Sequence, residues 1–135
     1  MESLVGIVIV SNSAQIAAGT VELARQMAGD DVRIEAAGGT ADGSRGTAAA
    51  AIMAASAAAD AGAGVLVLVD LGSAVLATQT ALELLGEGAA ARVRISGGPL
   101  VEGAVVAAVQ ASVGDDLAAV LAAAEEAASL PKLSE

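Results

Sequence analysis

Residues 4–10, LVGIVIV, and residues 65–70, VLVLVD, decide the fold. Both runs are rich in β-branched residues and apolar almost throughout, the pattern of strands covered on both faces. They predict adjacent strands at the middle of a sheet. Residues 32–36 (VRIEA) and 92–96 (RVRIS) instead place Arg33, Glu35, Arg92 and Arg94 at alternate positions, as strands with one partly wet face do, and belong nearer the edges.

Between these runs the spacing predicts helices over residues 15–27, 47–61, 74–85, 101–112 and 116–128. In the first, Ile16, Thr20, Leu23, Ala24 and Met27 share one face at helical spacing and are expected inward, with Glu22, Arg25 and Gln26 outward. The last opens on Asp115 and Asp116, good N-terminal residues, with Leu117, Val120, Leu121 and Ala124 facing in. Strands and helices thus alternate along the chain, which predicts an α/β three-layer sandwich with a mostly parallel open sheet and helices on both faces. If 65–69 pairs with 4–10, the strand order is 2-1-3-4 and reverses between strands one and three. Ligands of open α/β sheets bind at such a reversal, outside the carboxyl ends of the strands, which singles out Ser11, Asn12, Ser13 and Asp70 to Ser73. The chain reads as one domain over residues 1–128, with a flexible tail at 129–135 that loses periodicity at Pro131.

Composition narrows the chemistry. The 135 residues are 56% apolar yet contain no Phe, Tyr, Trp, Cys or His, so the core rests on aliphatics and much Ala, and neither a thiolate nor an imidazole metal site can be built. Ala-rich helices bury little area each, which favours surfaces that need a partner. Sixteen acidic against six basic residues give a net charge of −10, a poor match to nucleic acid or anionic membrane. The mean hydropathy is +0.72, but Asp60, Asp70, Glu83, Glu102 and Asp115 break each apolar run before the ~20 residues of a spanning helix. The N-terminal apolar run has no basic region before it and does not read as a signal peptide, so a cytoplasmic location is expected.

Among candidate site residues, Asp70 reads equally well as a cap for the helix after it and as a functional carboxylate. Gly72 and Ser73 add a small-residue turn whose N–H groups and dipole favour an anion. Residues 11–13 taken alone are a polar turn capping a helix. Residues 38–46 (GGTADGSRG) look like a phosphate-binding loop but lack the Gly-Lys-Ser/Thr ending of a P-loop, and from spacing alone a plain flexible loop fits them better. Residues 96–100 (SGGPL) read as a turn, and Glu125–Glu126 as a solvated helix face.

Taken in order, IVIVSNS, GGTADGSRGT, LVLVDLGSAVLATQTALELL and SGGPLVEGA resemble the M subunit of phosphoenolpyruvate-dependent dihydroxyacetone kinases, within the mannose-type enzyme IIA fold of the sugar phosphotransferase system. The likeness runs from Leu4 to about Ala124. It implies a homodimeric cytoplasmic phosphocarrier without a cofactor, in which a histidine after strand one receives a phosphoryl group from the carrier protein HPr and passes it to ADP on the kinase's L subunit. That histidine falls on Asn12 here, and the aspartate that orients it on Asp70. The resemblance places Ser11, Ser13, Gly38, Gly39, Thr40, Gly46, Thr47, Leu71, Gly72, Ser73, Pro99 and Leu100 around the phosphate and partner site. A carboxamide nitrogen is not nucleophilic and does not titrate near neutrality as imidazole does. Asn12 is therefore expected to stop the relay while filling similar space and donating a hydrogen bond toward Asp70. The same features fit a regulatory or binding paralogue that keeps the docking surface.

Overall fold

A computed structural model describes residues 3–39 and 48–134. The elements run β1 (Gly6–Ser11), α1 (Ala14–Ala28), β2 (Ile34–Gly38), α2 (Ala49–Ala59), β3 (Val65–Val69), α3 (Gly72–Leu85), α4 (Glu87–Ala90), β4 (Val93–Ser96), α5 (Leu100–Ser112) and α6 (Leu117–Glu126), then a 3-10 turn at Ala127–Ser129. All strand pairs are parallel and the order is β2-β1-β3-β4, as the apolar runs predict. The one-turn α4 has no counterpart in the sequence reading.

The two-residue period of a strand divides the core. Ile7 and Ile9 of β1, with Ile34, Leu66 and Leu68, face a layer built on α1, α5 and α6. Val8 and Val10, with Val65, Val67 and Val93, face α2 and α3. Every residue of β1 is buried, and each fully buried Val, Leu or Ile contributes about 1.5–3 kcal/mol of transfer free energy. The helices meet the sheet through small residues: Ala104, Ala107, Ala108 and Ala111 of α5 are all fully buried, which brings the backbones of α5, α1 and the sheet close together.

That closeness explains a correction in α1. Ile16, Leu23 and Met27, expected inward, are 49%, 40% and 60% exposed, and the buried residues are Ala17, Thr20, Val21 and Ala24. The helix is turned by about one residue position, because between thin layers only the side bearing Ala fits. Thr20 is accommodated by donating its hydroxyl to the Ile16 carbonyl at 2.8 Å. A pattern that weights Leu, Ile and Met above Ala points to the wrong face.

Close approach also fixes Gly6. A Cβ there would overlap the Ala59 carbonyl oxygen at the end of α2, a backbone atom that cannot swing aside. Gly6→Ala is expected to lower stability by about 1–3 kcal/mol, the usual cost of overfilling a packed site; an unchanged urea midpoint would contradict this packing.

At the opposite end of the sheet from the strand carboxyl termini, Asp60 accepts two hydrogen bonds from Arg92, from Nε at 3.0 Å and a terminal nitrogen at 2.7 Å. The Arg92 hydrogen bond holds the Asp60 carboxyl below its ordinary value of 3.8, against a smaller opposing effect of burial. A carboxylate depressed in the folded state adds stability that is present above its unfolded pKa and lost as pH falls through the folded one. The pair is partly exposed, so water and salt weaken it. Asp60→Asn is expected to flatten the fall in melting temperature below pH 4, with little change at pH 7 beyond the lost pair; an equally steep acid limb in the variant would contradict the assignment.

Candidate functional site

Strands β1 and β3 lie side by side, Val10 opposite Val69, so the residues that follow them emerge together at the carboxyl edge of the sheet. Ser11, the last residue of β1, is fully buried. Its hydroxyl donates to Asp70 Oδ2 at 2.7 Å and accepts the Ser13 N–H at 3.0 Å. The Asn12 main-chain N–H donates to the same Oδ2 at 3.2 Å, and Asp70 Oδ1 accepts the Leu71 N–H at 2.7 Å. One carboxylate thus receives a hydroxyl and two main-chain donors, and ties the β1–α1 turn to the β3–α3 turn.

The Asn12 side chain takes a different partner from the one expected. Its Nδ2 donates to Ser73 Oγ at 2.6 Å, while the contact with Asp70 comes from the main chain of residue 12. The reason is geometric: Asp70 Oδ2 sits beneath the turn, occupied by Ser11 and the Asn12 N–H, and Ser73 lies at the exposed lip in the first turn of α3. Asp70 does not cap α3 either. The N-cap is Leu71, extended at φ −120° and ψ 169°, and it offers no side-chain acceptor. Of the two readings of Asp70, the structure takes it out of the capping role and makes it a bridge between strand ends.

Two helix N-termini flank residue 12. Ser13 caps α1, accepting the Ile16 N–H at 3.3 Å, and α3 begins at Gly72 with no side-chain cap. The first N–H groups of α3 carry the positive end of its dipole at the lip beside Ser73, an arrangement suited to an anion.

The other expected residues fall into three groups. Gly38, at the end of β2, is paired in register with Ser11, and a Cβ there would press on the Ser13 carbonyl and Ala14; Gly39 follows it at φ +70°. Pro99 stands at the N-cap position of α5, with no side-chain cap, and Leu100 opens the helix, one strand beyond Asp70 at the same edge of the sheet. Thr40, Gly46 and Thr47 lie outside the described residues. One contact carried no sequence signal: Glu125 of α6, expected on a solvated face, accepts the Gly97 N–H at 3.2 Å. It braces the SGG turn, within which the buried Ser96 hydroxyl accepts the Gly98 N–H. Among the described residues, no three Asp or Glu side chains gather as metal ligands would.

A four-stranded parallel sheet of order 2-1-3-4 with a carboxylate-braced polar turn at its reversal makes this an open α/β protein whose candidate site lies at the switch point. The family described as "PTS system fructose IIA component", the mannose-type IIA family, matches residues 6–121, and the chain belongs to it. Its relatives include the phosphoryl donor subunit DhaM of the PEP-dependent dihydroxyacetone kinase of Escherichia coli K12, 46% identical over 118 residues, covering 84% of this chain and 25% of the relative. The DhaM of PEP-dependent dihydroxyacetone kinase 2 of Listeria innocua is 41% identical over 118 residues, covering 87% of this chain and 94% of that protein. The chain therefore spans a quarter of the first relative's length and nearly all of the second's. The crystal structure of the unknown-function protein EF1359 superposes with a TM-score of 0.82 at 38% identity, covering 91% of this chain and 94% of that one.

The bridging hydroxyl gives the site a measurable signature. Ser11→Ala leaves a carboxylate oxygen and the Ser13 N–H each short of one partner and is expected to cost about 1–3 kcal/mol, whereas Ser73→Ala at the exposed lip stays within about 0.5 kcal/mol. Thermal melts of the two variants check this, and equal losses would mean that Ser11 does not brace the turn.

Proposed function

We propose that this chain is the phosphotransfer module of a dihydroxyacetone kinase system in which Asn12 stands at the acceptor position, so that the chain as it stands does not relay phosphoryl. The observation that carries the reading is the placement of residue 12: its main chain is fixed by Asp70 and its side chain lies at the lip against Ser73, between two helix N-termini. A nucleophile at that position would meet an incoming phosphoryl group where the first N–H groups of α3 favour negative charge.

Asparagine removes the chemistry and leaves the frame. The carboxamide nitrogen shares its lone pair with the carbonyl, so it donates hydrogen bonds but does not attack phosphorus. An imidazole at residue 12 would attack with a ring nitrogen; the bond from phosphorus to the donor nitrogen would break as the new P–N bond formed, and Asp70 would orient the ring through the residue 12 main chain that it holds. On this reading HPr is the donor, the ADP-bearing L subunit the acceptor, and the working form a homodimer in the cytoplasm.

The intact frame also supports a second reading, a non-catalytic regulatory paralogue that engages the L subunit through the same surface. The two readings part on one comparison. Asn12→His, incubated with phosphoenolpyruvate, enzyme I and HPr, is expected to gain one phosphoryl group by intact mass, while the unaltered chain gains none. No gain on the variant would overturn the phosphotransfer reading; equal gain on the unaltered chain would overturn the inactive state. Binding of the L subunit by the unaltered chain, without gain on the variant, would favour the regulatory reading.

A further inference from the structure

A second turn at the carboxyl edge of the sheet is built as the first one is. Ser11 and Ser96 both end a strand, and both are fully buried. Each hydroxyl accepts the N–H two residues on, from Ser13 and from Gly98, at 3.0 Å in both cases. Each turn is also held by a carboxylate: Asp70 takes the Asn12 N–H, and Glu125 Oε2 takes the Gly97 N–H at 3.2 Å. We infer that Glu125 is a positioning residue, fixing the turn at residues 97–99 as one wall of the surface on which a protein phosphoryl donor settles over residue 12. The inference deepens the phosphotransfer reading and rests on it.

Topology brings this turn to the site. β4 is an edge strand, with Ser96 in register with Leu68, two residues before Asp70. The helix that follows does not stay over that edge, for α5 packs on β1, β3 and α1. The chain over residues 96–100 therefore crosses back past the end of β3, toward the β1–α1 turn that carries residue 12. Neighbouring strands are ~5 Å apart, while a standard protein interface covers roughly 800 Å² on each partner. A protein donor whose reacting nitrogen reaches residue 12 in line thus also rests on this turn, whereas a small donor needs only the lip at Ser73.

The turn needs a brace because of its own sequence. Gly97 and Gly98 are adjacent and lack the side chains that restrict a backbone. A Cβ at Gly98 would overlap the Ala124 carbonyl oxygen, so α6 is pressed against the turn at that point, and the next residue along α6 is Glu125. The Ser96 hydroxyl holds Gly98 from within the turn, and Glu125 ties Gly97 to a separate element. Glu126 carries the same charge and is exposed as Glu125 is, so a comparison of the two separates the braced turn from net charge.

In the Asn12→His background, Glu125→Ala, Glu125→Gln and Glu126→Ala are each phosphorylated from phospho-HPr and, separately, from phosphoramidate, with thermal melts confirming the fold. With subsaturating phospho-HPr, Glu125→Ala is expected to gain phosphoryl about fivefold more slowly than its parent, the scale of one hydrogen bond. The plateau rate at saturating phospho-HPr and the rate from phosphoramidate should change by less than about twofold, as for a surface substitution. Glu125→Gln keeps an acceptor for the Gly97 N–H and, like Glu126→Ala, should stay within about twofold of the parent throughout. No loss in Glu125→Ala would overturn the assignment. So would an equal loss with both donors, the mark of a general structural role, or an equal loss in Glu125→Gln or Glu126→Ala, the mark of net charge. Failure of Asn12→His itself to gain phosphoryl from either donor would overturn the phosphotransfer reading and this inference with it; gain indifferent to residue 125 would overturn this inference alone.

Discussion

The Asp70 carboxylate is the tie on which the working edge of this protein depends. It receives the Ser11 hydroxyl and the Asn12 N–H from the end of β1 and the Leu71 N–H from its own turn. Strand pairing alone brings the ends of β1 and β3 to neighbouring positions; it does not set the direction of the chain beyond them. The shared carboxylate does, by making the two turns one hydrogen-bonded unit. Ser11 is buried, and its hydroxyl both donates to Asp70 and accepts the Ser13 N–H, which joins the strand end to the turn after it.

From that tie the placement of residue 12 follows. Its main chain is anchored below, its side chain stands at the lip beside Ser73, and α1 and α3 begin on either side. The frame holds residue 12 through its main chain, so the hydrogen bonds from Ser11, the Asn12 N–H and the Leu71 N–H to Asp70 do not depend on which side chain residue 12 carries. On the proposed reading, an exchange between imidazole and carboxamide there would separate the architecture of phosphotransfer from its chemistry.

Much of this was legible in the sequence, for physical reasons. Strands apolar on both faces belong in the middle of a parallel sheet, so residues 4–10 and 65–69 fix the order 2-1-3-4 and with it the reversal point. Asn12 and Asp70 then come together because they follow paired strands. Other features were not legible. The rotation of α1 depends on how closely Ala-bearing helices approach the sheet, a property of the assembled layers. Hydrophobic periodicity ranks Ile16, Leu23 and Met27 above Ala17 and Ala24, and the packing reverses that rank. The choice of Ser73 by the Asn12 side chain, and of Gly97 by Glu125, depends on atom positions across separate elements, which spacing along the chain does not encode.

The central claim is that Asp70 orients whatever occupies residue 12. It is tested most directly by treating Asn12→His with phosphoramidate, a small phosphoryl donor that needs no protein partner, and following the product by phosphorus NMR with and without a second change, Asp70→Ala. The account expects a single phosphohistidine signal that forms readily with Asp70 in place and much more slowly without it, both proteins remaining folded. Equal rates of formation would show that the carboxylate does not govern residue 12 and would contradict the account.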